Sequence, residues 1–346
     1  MASQTAQMGE AMRAYRPMQF PGIDMLCDRT EYNTAKQAQS VSRQLGRRGV
    51  LCEMYGVTGW AFNFEGHKGQ GDWQAALGVT LRVHHLAWSS MEGEAKRDYP
   101  ACIGYQSPWY KEYKTIETHF ARVNAAMTRG YPVTRVAVVH PIESFWLCAG
   151  PKDLNFEEME YRDQAFADLT GWLLKSHLDF DFISESLFAD QTPLDTINDK
   201  LPVGLCSYEV VVVPNLRTIR STTLIRLEKF AAQGGKVIFA GSCPSMVDVK
   251  PVDSPPLIPG AVRVSWSKAQ ILAQLQAFRD IDMVVRESTL YRTQGYRADS
   301  LFYQMRRDGV DRYLFIANTD RKQACPVDGS IKGEWKMEVR LSLRKG

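Results

Sequence analysis

The sequence predicts an α/β protein made of three consecutive parts, and three patterns in its 346 residues support this. Probable strands alternate with probable helices over residues 1–130. Near-continuous runs of β-branched residues recur over 131–285, as in strands that are buried on both faces of a parallel sheet. Over 286–346 the pattern becomes antiparallel, because two apolar runs are joined across Asp308-Gly309, a strong hairpin signal.

The first part has the pattern of the C-terminal portion of a (β/α)8 catalytic barrel. Its predicted helices cover residues 34–49 and 114–130, and its predicted strands are PGIDMLCD (21–28), VLCEMYG (50–56) and GVTLRVHHLAW (78–88). Both helices end at a glycine, which often terminates a helix. A closed barrel needs eight strands and roughly 250 residues. This part is therefore too short to close a barrel alone, and we expect a partial barrel segment.

The second part is predicted to form an open parallel α/β sheet of the flavodoxin or glutamine-amidotransferase type. Predicted helices at 156–176 and 221–235 separate its strands, which are VTRVAVVHP (133–141), DFDFIS (179–184), YEVVVVPN (208–215) and GKVIFAG (235–241). The later helix repeats apolar residues at helical spacing, which gives it one face for the core. The third part is predicted to begin an antiparallel β-domain.

Composition disfavours several classes of protein. The net charge is only +3 and the basic residues are scattered, which argues against nucleic acid as a partner. No run of about 18 apolar residues is present, so we expect no membrane-spanning helix. The N-terminal stretch lacks the apolar core of a secretory signal, which favours a cytoplasmic location. The seven cysteines are isolated and form no CxxC pair, so we expect neither a disulfide framework nor a structural zinc. We also expect no cofactor and no other metal.

Glu53 is the first candidate for chemistry. It follows the apolar residues Val50, Leu51 and Cys52, which places it at the carboxyl end of a buried strand. Active sites of barrel enzymes are built at that end of the strands. A carboxylate there can act as the nucleophile or general base of glycoside hydrolysis, in which two carboxyl groups flank the scissile bond. The alternative is a solvated carboxylate with no role.

His84 and His85 end the third predicted strand. Successive residues of a strand point to opposite faces, so one histidine should face the site and the other should not. The inward histidine is a candidate contact for a sugar hydroxyl, and the alternative for each is a hydrogen-bonded structural histidine. A metal site is less favoured, because adjacent strand residues cannot easily bind one ion together.

Aromatic and acidic residues around these strand ends form a candidate carbohydrate site. Indole rings stack on the apolar faces of sugars, although a buried core could use the same rings. FNFEGHKGQGDW (62–73) is predicted to be a long, irregular, Gly-rich loop, the kind of segment that often carries binding residues. The candidate substrate contacts are Tyr55, Trp60, Glu65, Asp72, His84, His85, Trp88 and Trp109.

Motifs for other chemistries are missing. No GxGxxG opens a helix after a strand, and no GxSxG elbow is present. Cys206 and Cys243 lack the strand-turn-helix setting with a histidine partner that a nucleophilic cysteine needs. We therefore expect the second part to be structural.

Two stretches of the chain resemble glycoside hydrolases. The stretch from YNTAKQAQSVSRQLGRRGVLCEMYGVTGW through GDWQAALGVTLRVHHLAW to SPWYKEYKTIETHFARVNAAMTRGYPV is similar to the C-terminal part of a clan A-type barrel, as in the family 106 α-L-rhamnosidases and their uncharacterised relatives. The stretch from VAVVHPIES to YEVVVVPNLRTIRSTTLIRLEKFAAQGGKVIFAG resembles the trimerisation domain of family 42 β-galactosidases, an amidotransferase-like fold without its chemistry. Together they cover more than half of the chain, and the order of the parts is the specific evidence.

The resemblance implies that VLCEMYG is barrel strand seven and GVTLRVHHLAW is strand eight. Glu53 would then match the nucleophile or base position, and the strand that supplies the general acid would lie upstream of residue 1. Within this chain, only Asp24, Asp28 and Glu65 are nearby carboxylates that could replace that acid, and none fits the family position well.

Three functions remain open at this point. The first is a glycosidase, or the C-terminal portion of one, that cleaves a terminal sugar such as rhamnose or galactose through Glu53. The second is a non-catalytic carbohydrate-binding or oligomerisation module, with the second part assembling a homo-oligomer. The third, an esterase or amidase, would need a Ser or Cys nucleophile near His84, His85 or His140.

Overall fold

The computed structural model describes residues 9–94, 102–285 and 296–333. Much of the predicted third part, residues 286–295 and 334–346, therefore lies outside the described residues. The α-helices are, in chain order, α1 (Ala11–Tyr15), α2 (Tyr32–Gln44), α3 (Phe64–Ala76), α4 (Lys114–Met127), α5 (Ile142–Trp146), α6 (Lys152–Leu174), α7 (Glu185–Gln191), α8 (Ser221–Ala232) and α9 (Lys268–Leu275). None of these helices has the length and hydropathy that crossing a bilayer requires.

The strands cover the predicted positions and add several short ones. They are, in chain order, β1 (Gly22–Met25), β2 (Val50–Met54), β3 (Val79–His84), β4 (Tyr131–Pro132), β5 (Val136–Val139), β6 (Phe180–Ile183), β7 (Leu201–Val203), β8 (Cys206–Tyr208), β9 (Val210–Val213), β10 (Thr218–Ile219), β11 (Lys236–Ala240), β12 (Met246–Val247), β13 (Lys250–Pro251), β14 (Val262–Val264), β15 (Ile281–Val285), β16 (Tyr296–Arg297), β17 (Leu301–Asp308), β18 (Asp311–Asn318) and β19 (Asp328–Ile331).

The chain divides by its internal contacts into two compact units, each assembled from separate stretches of sequence. Unit 1 comprises Met1–Gln19, Tyr32–Arg47 and Thr134–Arg279, and unit 2 comprises Phe20–Glu31, Arg48–Val133 and Asp280–Gly346. This division does not follow the predicted domains 1–130, 131–285 and 286–346, which stay a prediction. The difference arises mainly because α2, which follows β1 in sequence, belongs to unit 1, where its basic side chains pair with acidic residues around β6.

Unit 1 is built on a five-stranded parallel sheet with the strand order β6-β5-β9-β11-β14. Strands β5, β6 and β9 each consist of four consecutive buried residues, which explains the near-continuous apolar runs in the sequence. Numbered along the chain, the order is 2-1-3-4-5, the order of flavodoxin-like sheets. The predicted open parallel α/β sheet is thus confirmed.

Unit 2 contains one parallel sheet, β1-β2-β3, and two antiparallel sheets, β18-β17-β4 and β16-β15-β19. The predicted hairpin is present: β17 and β18 pair along their whole length, and Gly309 adopts the φ of +58° that suits its tight turn. The three parallel strands do not close a barrel within the described residues.

The prediction that residues 62–73 form an irregular loop is wrong, because most of them belong to α3. Asn63 begins this helix, and its side chain accepts a hydrogen bond from the Gly66 backbone N–H at 3.1 Å. The glycines that argued for a loop instead allow close packing. A Cβ on Gly71 would lie 2.1 Å from the ring of Phe120 in α4, so only glycine fits there.

Candidate functional site

Asp24 and Glu53 are direct neighbours on adjacent strands of the parallel sheet. Asp24 of β1 is in register with Glu53 of β2, and Glu53 is in register with Val83 of β3. Residues in register on adjacent strands point to the same face of a sheet, and adjacent strands lie about 4.8 Å apart. The two carboxyl groups therefore project from the same face, one residue before the carboxyl end of each strand.

The two faces of this sheet differ in exposure. Ile23, Met25, Cys52 and Met54 point to one face and are buried. The other face carries the two carboxylates; the Glu53 side chain is 43% exposed. On the same face Leu81 is 41% exposed and Val83 is 40% exposed. Since both faces of a parallel sheet are normally buried, we call this surface, formed by Asp24, Leu51, Glu53, Leu81 and Val83, the open face.

The surroundings of Asp24 raise the affinity of its carboxyl group for a proton. Burial raises the pKa of Asp24, the negative charge of Glu53 raises it further, and His85 opposes the shift. His85 Nε2 lies 3.8 Å from Glu53 Oε1. A carboxyl group with a raised pKa beside a second carboxylate is the arrangement that separates an acid from a base or nucleophile.

The neighbouring histidine, His84, contacts a different set of groups. Its Nε2 lies 3.1 Å from Oε1 of Glu117 in α4, and Arg82 donates a 2.7 Å hydrogen bond to the same carboxylate. The interaction with His84, aided by the charge of Arg82, lowers the pKa of Glu117 to about 2. Of the two predicted histidines, His85 is therefore the one beside Glu53, whereas His84 belongs to the layer between β3 and α4.

Tyr55 is buried rather than presented to a ligand. Its hydroxyl donates to the His67 carbonyl at 3.2 Å, and its ring lies 5.1 Å from that of His84. Burial raises the pKa of this hydroxyl to about 12. The backbone φ of Tyr55 is +75°, so the chain turns sharply directly after β2. The buried side chain of Tyr55 thus fixes the position of this turn.

The two acidic candidates on α3 lie in different environments. Asp72 is buried, its Oδ1 lies 2.5 Å from His119 Nε2, and it also pairs with Lys68. These contacts give the Asp72 carboxylate a structural role, because they tie it into the packing between α3 and α4. Glu65 lies exposed in the first turn of α3. The structure does not bring either residue into contact with Glu53.

The three tryptophan candidates form two aromatic groups in unit 2. The rings of Trp60 and Trp88 lie 5.8 Å apart at 45°, and Trp60 remains exposed. Trp109 packs edge-on against Phe64 with the ring centres 6.5 Å apart. The Trp60–Trp88 pair offers indole surface on the segments that follow β2 and β3, the same strands whose ends carry Glu53 and His85.

Comparisons with known proteins add evidence on the fold. No family model and no curated protein matches the chain. Among solved structures, it is similar to a rhamnosidase from Novosphingobium sp. PP1Y, with a TM-score of 0.59 and 15% identity over 87% of this chain and 29% of that one. A catalytic mutant of Gan42B, a GH42 β-galactosidase from G. stearothermophilus, matches with a TM-score of 0.47 and 14% identity over 91% of this chain and 43% of that one.

The fold is glycosidase-like. At 15% identity the likeness to the rhamnosidase concerns the fold alone, and this chain spans about 29% of that protein's length. Within the part of the chain that the structure describes, no three His, Cys, Asp or Glu side chains come together as a metal site would need.

Asp24 is the site residue for which the sequence gave the weakest indication. It was one of three candidates for a second carboxylate, and only the pairing of β1 with β2 places it beside Glu53. Arg82 and Glu117 gave no separate signal, because an alternating strand and an amphipathic helix contain such residues on any surface. The site presents two carboxyl groups side by side on one face of the sheet.

Proposed function

We propose that this chain is a glycoside hydrolase, or the C-terminal portion of one, that cleaves a terminal sugar such as rhamnose or galactose. The observation that carries the proposal is the pair of neighbouring carboxyl groups, Asp24 and Glu53, on the open face of a parallel sheet. The glycosidase-like fold supports it. In this proposal the sheet is a segment of a (β/α)8 barrel, related to family 106, and unit 1 is an amidotransferase-like domain that assembles a homo-oligomer.

The proposed chemistry divides the two carboxyl groups by their environment. Asp24, whose pKa is raised, donates a proton to the glycosidic oxygen as the bond breaks. Glu53 acts on the anomeric carbon, either directly as nucleophile or as the base that activates water, and His85 lies within reach to hold its carboxylate in place. The separation of the two carboxyl groups decides between these roles, because it is about 5–5.5 Å in retaining enzymes and about 6.5–9.5 Å in inverting ones.

The sugar would rest against nearby aromatic and polar side chains. Trp60 and Trp88 supply indole surface for the apolar face of a ring, and His85 can donate to a hydroxyl. Trp109 and Glu65 stay in the proposal as substrate contacts, whereas His84, which lies on the α4 side of β3, would position this strand without touching the sugar. Tyr55 and Asp72 are buried, so we propose that they position the site without touching the substrate.

The test is hydrolysis of aryl rhamnosides and galactosides whose leaving groups differ in acidity. Glu53→Gln is expected to lower kcat/KM at least about a hundredfold for every substrate. Asp24→Asn is expected to lower it strongly for poor leaving groups and little for nitrophenol, which needs no proton. The control is Glu112→Gln, which changes an exposed carboxylate of unit 2 that belongs to none of its strands. Equal activity of Glu53→Gln and the parent chain would contradict the assignment.

A second candidate function is a non-catalytic carbohydrate-binding or oligomerisation module. The observation that favours it is the exposure of Leu81 and Val83, since apolar residues on a parallel sheet normally have a covering layer. A folded chain that releases no aglycone from any substrate, yet binds the sugar or self-associates in light scattering, would support this candidate over the first.

A further inference from the structure

The loop that follows β1, residues 26–31, has a strained backbone. Cys27 and Asp28 have φ values of +58° and +54°, in the left-handed region that residues other than glycine rarely adopt. Such residues persist there only where the surrounding structure holds them in place. We call this segment the β1 loop, because it directly follows the strand that carries Asp24. The groups that hold it are therefore candidates for positioning Asp24.

Arg321 forms a two-bond ion pair with Asp28 of the β1 loop. Its Nη1 donates to Asp28 Oδ2 and its Nη2 donates to Asp28 Oδ1, each at 2.6 Å. Arg321 lies between β18 and β19, in the predicted third part of the chain, to which the sequence assigned no role in the site. Most surface ion pairs contribute little, but a guanidinium that meets both oxygens of one carboxylate fixes its direction as well as its distance. The pair also gives Asp28, a candidate for the second carboxylate, a different role.

Gly69 of α3 leaves the space that the Arg321 side chain occupies. A Cβ on Gly69 would lie within 3.0 Å of the Nε, Cδ and Cζ atoms of Arg321. A glycine in a helix interior lowers the helix propensity, and the position of Arg321 gives a reason for it here. Even an alanine at position 69 would displace the guanidinium from Asp28.

The β1 loop also contacts the segments that follow β2 and β3. The Cys27 N–H donates to the Gly56 carbonyl at 3.0 Å. A Cβ on Gly56 would lie 2.8 Å from Leu26 Cδ2 and 2.9 Å from His85 Cγ, so both side chains pack against this glycine. His85 is the histidine whose Nε2 lies 3.8 Å from Glu53 Oε1. A continuous series of contacts thus links the β1 loop to the histidine beside Glu53.

The β1 loop also contributes to the environment of Asp24. Burial is the main cause of the raised pKa of Asp24, and the negative charge of Glu53 adds to it. His85 opposes the shift, whereas the negative charge of Glu31, the last residue of the loop, favours it. A loop that moved away would take Glu31 with it and admit water to Asp24. The pKa of Asp24 therefore depends on the position of the loop.

We propose that Arg321 is a positioning residue, which holds the β1 loop against the segments after β2 and β3 and so keeps Asp24 and Glu53 in the arrangement that catalysis needs. This proposal rests on the glycosidase function proposed for the two carboxyl groups. Arg321 acts through Asp28, to which both of its terminal nitrogens donate. The antiparallel part of unit 2 thereby contributes to the site.

The experiment follows the titration of Asp24 in the full chain by NMR of its carboxyl carbon. Gly69→Ala favours the helix and keeps every charge but displaces Arg321, and Arg321→Gln removes the pair itself. In both variants the pKa of Asp24 is expected to fall toward its ordinary value. Loss of a positive charge alone would raise this pKa, so a fall in Arg321→Gln indicates movement of the loop. Lys322→Gln, the same change of charge at the next exposed position, is the control and should not lower the pKa of Asp24.

Kinetics on the aryl glycosides test the link to catalysis. Arg321→Gln is expected to lower kcat/KM about ten- to a hundredfold for poor leaving groups, mainly through kcat. The alkaline limb of its pH profile should move to lower pH, because Asp24 then loses its proton more easily. Arg321→Lys keeps the charge but not the two-bond geometry, and should recover only part of the loss.

The outcomes separate this proposal from the function on which it rests. If the chain hydrolyses no glycoside, the proposed function fails, but a fall in the pKa of Asp24 in both variants still supports the positioning role of Arg321. If this pKa does not fall in one of the two variants, the proposal is overturned, even where the variant loses thermal stability. Equal kcat/KM of Arg321→Gln and an active parent chain would overturn it as well.

Discussion

Replacing Arg43 with methionine is expected to lower the free energy of unfolding by about 3–5 kcal/mol, the usual cost of leaving a buried charge without its partner. Arg43 lies in α2 and is almost completely buried. Its Nη2 contacts Asp179 Oδ2 at 2.8 Å, and its Nη1 contacts Asp181 Oδ1 at 3.0 Å. Because one guanidinium pairs with both carboxylates, its loss leaves two acidic groups in the low-dielectric interior without this positive charge.

The second cation of this cluster, Lys36, cannot replace Arg43. Burial lowers the pKa of Lys36 against the opposing effect of Asp179, and burial raises the pKa of Asp181. Arginine keeps its charge in proteins. Burial also acts on Asp179, but the charges of Arg43 and Lys36 outweigh it and hold its pKa at about 2. Arg43 is therefore the dominant partner for both carboxylates.

Urea unfolding of Arg43→Met, compared with Arg16→Met, measures this effect. Arg16 pairs with Asp190 at 3.0 Å in the same unit, but both side chains are exposed. Such a pair contributes about 0–1 kcal/mol. If Arg43→Met is too unstable to purify, Arg43→Met combined with Asp181→Asn should recover part of the stability, because one carboxylate then faces one lysine. Equal losses of unfolding free energy from Arg43→Met and Arg16→Met would contradict the role assigned to Arg43.

Glu185→Gln is expected to make the protein more stable above pH 8, and the advantage should vanish toward pH 4.5. Glu185 opens α7 and is almost fully buried. Burial raises its pKa from 4.5 to about 8, although its carboxyl accepts a 2.8 Å hydrogen bond from the Arg220 backbone N–H. The folded state therefore keeps a proton that the unfolded state has already released.

This difference in proton binding determines whether the free energy of unfolding rises or falls with pH. Between pH 4.5 and about 8 the folded state binds one more proton than the unfolded state, so its stability is full below pH 4.5 and is lost as the pH rises through this window. Each unit of pKa difference corresponds to about 1.4 kcal/mol, so the loss amounts to roughly 3–5 kcal/mol. Glutamine cannot ionise and does not lose this stability.

The measurement is the unfolding free energy of the parent chain and of Glu185→Gln at several pH values from 4.5 to 9. Glu228→Gln, at an exposed position of α8 in the same unit, is the control and should follow the parent chain at every pH. Parallel curves for the parent chain and Glu185→Gln would show that Glu185 titrates normally in the folded protein.

Local pattern was sufficient to predict most elements of the fold. VLCEMYG (50–56) predicts a strand, and the observed strand covers Val50–Met54, where buried and half-buried residues alternate. The Asp308-Gly309 signal produced the β17–β18 hairpin. Such features are readable because strand periodicity and turn chemistry depend on residues that are close in sequence.

The clearest failure was α3, which a count of glycines assigned to a loop. The glycines lower its intrinsic helix propensity, but Gly71 is required by the Phe120 ring of α4, which lies about fifty positions later in the chain. Intrinsic propensity therefore gave the wrong answer where helix packing decided the structure.

By itself, the sequence determined the type and position of the longer strands, the parallel sheet of unit 1 and the location of Glu53 at a strand end. Only the tertiary structure decided which groups surround these residues. Asp24 stands beside Glu53 because β1 and β2 pair in one particular register, and α2 belongs to unit 1 because Lys36 and Arg43 meet Asp179 and Asp181 more than 130 positions away. Strand register and buried ion pairs join residues that are distant in sequence, so no local pattern contains them.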